Sequence, residues 1–94
     1  MDIIYPTVHL NGTAADDLAN QLADALSALQ EAQAKLALAA PNGRDYYPQG
    51  PAASQAAYTQ HAARHNALQG VANELAALLD NVLDQQAARR ARRS

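Results

Sequence analysis

Nine consecutive residues hold most of the side chains that could do chemistry: Asn42-Gly43-Arg44-Asp45-Tyr46-Tyr47-Pro48-Gln49-Gly50. Two of the four tyrosines stand side by side here, with one charge of each sign beside them. A tyrosine ring offers a face on which a base or sugar stacks. The Arg44 guanidinium is a planar fork suited to phosphate or carboxylate. Asp45 can accept from ribose hydroxyls or an exocyclic amine, and Asn42 and Gln49 carry amide donors and acceptors. Gly43 and Gly50 free the backbone to approach a ligand. Together these make a kit for a nucleotide-type ligand. The competing structural reading is that Tyr46 and Tyr47 cap the open end of a bundle and that Arg44 and Asp45 form a local ion pair.

Other candidate chemistry is thinner. His61 and His65 have the i,i+4 spacing of helical zinc sites, but the residues between them are Ala62, Ala63 and Arg64, so the HExxH pattern is absent. The plainer reading places both in the polar end of a helix–helix seam. Ser27 and Ser54 sit in no nucleophile motif, and there is no phosphate-loop or dinucleotide fingerprint. A non-enzyme with no cofactor is expected. There is no cysteine, hence no disulfide, thiolate metal site or thiol nucleophile. Arg89, Arg90, Arg92 and Arg93 form a basic end, but the net charge is −2, which argues against a general nucleic-acid binder.

Two long helices must position the 41–50 motif. Leu18, Leu22, Ala25, Leu29, Ala32 and Leu36 follow a 4-3-4-3-4 rhythm, a heptad seam widened by Leu26. Thr13 reads as its N-cap, with Asp16 three residues on as in a capping box. Pro41 ends this helix, so it spans about 14–40, roughly 40 Å. The second seam is Tyr58, His61, His65, Leu68, Ala72, Leu75, Leu79 and Val82, flanked by Val71, Leu78 and Leu83. With Pro51 at its first position, that helix spans about 51–88, and residues 89–94 form a basic tail expected to fray. Gly70 in its middle costs about 1 kcal/mol relative to Ala and suggests a close crossing or a bend. Two Pro and two Gly in ten positions argue against any helix over 41–50. Residues 1–12 read as an extended arm, a single strand at most, ending in the turn signal Asn11-Gly12.

The expected fold is therefore all-α: one domain over 1–94, an antiparallel two-helix hairpin with a short extended arm. Much of the 49% hydrophobic content is alanine, and there is no Phe or Trp. Alanine favours helix but buries little area. Two such helices cannot enclose a core, so assembly into a homo-oligomeric bundle is expected. Antiparallel packing separates Asn11 from the 41–50 loop by about a helix length, roughly 40 Å. If His9 and Asn11 complete the loop site, they come from a neighbouring subunit.

The segment PNGRDYYPQG, together with HLNGT at 9–13, resembles a family of small proteins from tailed bacteriophages and prophages. The resemblance covers most of the chain, since the two motifs bracket helix 1 and a long helix follows. It implies a phage accessory protein of the bacterial host cytoplasm, and it brings no established activity. Size, helicity and expected oligomerisation give a looser analogy to helical phage proteins that sequester cyclic-nucleotide immune signals. The resulting expectation is a non-catalytic anti-defence sponge. The alternatives are an adaptor or inhibitor that docks on a host protein and a structural phage protein. No signal peptide and no apolar run long enough to span a bilayer is read in the sequence.

Overall fold

A computed structural model describes residues 2–93. It is all-helical, with no strand among the described residues. Helix α1 is Ala15–Leu38, a 3-10 helix follows at Gly43–Gln49, and helix α2 is Pro51–Arg93. Among the described residues no helix is long and apolar enough to cross a membrane. The molecule is a rod, 67 × 23 × 19 Å, with a radius of gyration of 19.6 Å. A compact chain of this length has a radius of roughly 12 Å.

The two long helices are in contact along a seam. On α2 it follows the expected residues: His61, His65, Leu68, Leu75 and Leu79 are half-buried, and Ala72 and Val82 are buried. Tyr58 continues the line but stays exposed, because α1 does not reach it. On α1 the seam is rotated from the expected one. Leu22, Leu26, Leu29, Gln33 and Leu36 face α2, and Ala25 and Ala32 are exposed. Burial favours the larger Leu26 over its alanine neighbour. Gln33 is admitted because its Nε2 donates to Gln69 Oε1 at 3.1 Å, and Gln69 Nε2 donates on to Asn73 at 3.0 Å. At the other end, Asp16 accepts from Gln86 Nε2 and lies 3.9 Å from the Arg90 guanidinium.

Several expected boundaries move. The N-cap of α1 is Ala14, with no side-chain cap bond, so Thr13 and Asp16 form no capping box. The chain enters α1 directly from the turn at residues 9–12, and the Asp16 carboxylate is taken by α2 instead. Helix α2 continues to Arg93 rather than stopping near 88, and cations suit the negative end of a helix. Gly70 serves no close crossing within the chain, since a Cβ built there meets nothing within 4 Å.

Residues 2–9 form neither helix nor strand and run beside α2, held by Gln85 and Arg89. Gln85 Oε1 accepts from Val8 N at 2.8 Å, and Gln85 Nε2 donates to Pro6 O and to Asn81 Oδ1, both at 2.7 Å. The carboxamide thus takes the place of a neighbouring strand's peptide. Arg89 Nη1 donates to Val8 O at 3.0 Å. The arm then turns at His9–Gly12, closed by Gly12 N donating to His9 O at 3.1 Å.

Gln85→Ala leaves the amide of Val8 and the carbonyl of Pro6 without their partner, at a cost of about 1–3 kcal/mol. Hydrogen exchange should show the Val8 amide losing most of its protection while the amides of α1 and α2 keep theirs. Equal protection in the variant would show that something else holds the arm.

Candidate functional site

The 41–50 segment is ordered where a loop was expected. Pro41 and Gly50 lie outside the 3-10 helix, and Pro48 is the proline within it. Its fixed φ near −65° matches the 3-10 range, so its cost is one missing donor. Asn42 is the N-cap: its Oδ1 accepts from Arg44 N at 3.0 Å, and its carbonyl accepts from Asp45 N at 3.0 Å. Gly50 closes the element with its N–H on the Tyr47 carbonyl at 3.2 Å, at φ 94° and ψ 168°. That region is essentially closed to residues with a Cβ. Its carbonyl accepts from Ala53 N at 3.2 Å, which starts α2.

Against the first turn of α2 this helix forms an open cleft of about 470 Å³. Gly43, Tyr46, Tyr47, Gly50, Ser54 and Gln55 line it. This volume lies within the range of small-ligand sites. The nine predicted site residues divide. Gly43, Tyr46 and Tyr47 line the cleft, with Tyr46 half-buried and Tyr47 75% exposed. Arg44, Asp45 and Gln49 are exposed and not in its wall. Among the described residues Arg44 and Asp45 make no ion pair. The Asn42 side-chain oxygen is committed to the cap, and among the described residues its amide nitrogen makes no hydrogen bond. Ser54 and Gln55 were missed by the sequence reading. Their position one turn beyond Pro51 on an N-terminal turn was the available signal.

His9 and Asn11 lie at the far end of α1, as expected. His9 belongs to a second cleft, of about 380 Å³, lined also by Gly12, Asp16, Gln86, Arg89 and Arg90. Its ring packs on Gly12, where a Cβ would stand 2.9 Å from Nε2. Asn11 is exposed and not in that wall. Among the described residues no hydrogen bond or ion pair joins the two ends. Among the described residues no group of three His, Cys, Asp or Glu side chains is placed to hold a metal. The chain matches no family model, no curated protein and no solved structure.

Replacing Gly50 with Ala should cost about 1–3 kcal/mol through backbone strain alone, since the space around its Cβ position is empty. For a chain of this size that lowers Tm by at least about 4 °C. A thermal melt of the variant checks this, and an unchanged Tm would mean that the junction relaxes without strain.

Proposed function

We propose that this chain is a non-catalytic binding module, a self-associating antiparallel helical hairpin whose tip captures a small nucleotide-type ligand. The observation that carries the reading is the tip cleft. Two tyrosines, two glycines, Ser54 and Gln55 line it, at the junction of the 3-10 helix and α2. A nucleobase fits that lining: its face stacks on tyrosine, and its edge meets Ser54 and Gln55. Arg44, adjacent to Gly43 and without an ion-pair partner among the described residues, is the available cation for a phosphate. Asp45, Gln49 and the amide nitrogen of Asn42 stand at the rim. The cross-links Gln33–Gln69 and Asp16–Gln86 support the antiparallel arrangement. The resemblance of HLNGT and PNGRDYYPQG to small phage proteins supports an accessory, anti-defence role in a bacterial host cytoplasm.

A second reading is a protein adaptor that docks by the same end. It is favoured by Leu38 and Tyr47, which are 83% and 75% exposed near the end where α1 stops. Tyrosine and arginine are frequent interface anchors.

A thermal-shift panel of mononucleotides, cyclic di- and trinucleotides and cyclic ADP-ribose isomers separates the two. A ligand present at 100 times its Kd adds about 2.7 kcal/mol, which raises Tm by several degrees. The expected result is a hit lost in both Tyr47→Ala and Arg44→Ala, with the melting of the free variants unchanged. A hit that survives both substitutions removes the tip from the reading. A flat panel, with a host protein retained by the wild type and released by Tyr47→Ala, replaces it with the adaptor.

A further inference from the structure

The accessible surface is 6856 Å², against roughly 5,200 Å² for a compact monomer of the same mass. The excess exceeds the roughly 800 Å² that each partner buries in a standard interface. The question is which face supplies it.

At about 100° per residue, Leu18, Ala25 and Ala32 share one flank of the α1 seam, and Arg64, Val71, Leu78 and Gln85 share one flank of α2. In an antiparallel pair these two flanks lie on the same side. The arm occupies one half of that side, where Gln85 and Arg89 hold its backbone. There Leu18 and Leu78 are half-buried. In the other half Ala25, Ala32, Arg64 and Ala67 are exposed, and Val71 is 46% exposed. The face is covered where the arm lies and bare beyond it.

The bare half of α2 carries a pattern that selects its own occupant. Arg64, Ala67, Val71 and the half-buried Glu74 are spaced 3-4-3 along one stripe, reading cation, small, apolar, anion. A two-fold axis passing between Ala67 and Val71 brings Ala67 against Val71 of a second copy and Arg64 against its Glu74, twice over. Among the described residues neither Arg64 nor Glu74 has an ion-pair partner within the chain.

We propose that this stripe is the interface between two copies of the chain, with α2 crossing α2 antiparallel about a two-fold axis near residue 69. The proposal rests on the self-association in the reading above and is independent of the tip ligand. An isologous contact of this kind needs the same patch to be self-complementary, which the charge order provides.

The test is a charge swap on the full chain, read by analytical ultracentrifugation over a concentration series, with far-UV circular dichroism to follow helix content. Arg64→Glu and Glu74→Arg should each weaken dimerisation at least about tenfold, because each sets like charges against each other twice. The double variant Arg64→Glu/Glu74→Arg should return to within about threefold of wild type, since it restores the attraction with reversed sign. Val71→Gln, at a site already exposed in the single chain, should weaken association with helix content unchanged. Wild type that stays monomeric at every concentration overturns the proposal together with self-association. A wild-type dimer unmoved by the single swaps, or one not rescued by the double swap, overturns this face alone.

Discussion

Two helices touch along a line, and a line has no inside. Everything else in this protein follows from that geometric shortage. Among the described residues, the buried hydrophobic side chains are small, Ala19, Ala72 and Val82, and only Val82 has no exposure at all. Apolar area removed from water is therefore modest, and the chain relies on polar side chains to fix what burial leaves undetermined. An alanine-rich seam tolerates sliding, since one small residue fits much as the next does. The amide pair Gln33–Gln69 and the contacts of Asp16 with Gln86 and Arg90 bind particular residues to each other and so select one register.

The arm is a second answer to the same shortage. It covers α2 beside residues 78–89 without forming a sheet, because Gln85 presents the donor and acceptor that a strand edge would. The Gln85 carboxamide accepts from Val8 N and donates to Pro6 O, its second donation to Asn81 steadies it on α2, and Arg89 adds a bond to Val8 O. That placement also leaves the other half of the same face bare, along Arg64, Ala67 and Val71.

Much of the architecture was legible from periodicity. The α2 seam from His61 to Val82 is the predicted one, because its large residues admit a single stripe. The α1 seam was read one position off at Ala25 and Ala32, because alanine carries almost no facial preference and Leu26 and Gln33 outweigh it. The 3-10 helix was hidden by counting Pro and Gly without asking which of them lay inside the element. The end of α2 was hidden because four arginines resemble a solvated tail as much as a helix terminus. Of the site, Tyr46, Tyr47 and Gly43 were identified from side-chain type. That Arg44, Asp45 and Gln49 stand outside the cleft wall is a matter of three-dimensional placement that composition does not reveal. Gln85 carried no signal at all, since a glutamine on a helix flank ordinarily faces water.

The heptad seam also makes length a separable variable. The arm cleft and the tyrosine tip are each built from residues close together in sequence or directly across the pair, and the helices between them repeat every seven residues. Inserting seven residues into each helix at matched levels would move the tip about 10 Å farther from the arm and return every seam residue to its own phase. An insertion of any length that breaks the phase would rotate one end relative to the other. The rod is thus a graduated spacer, and its two ends can be set apart in whole steps without either being rebuilt.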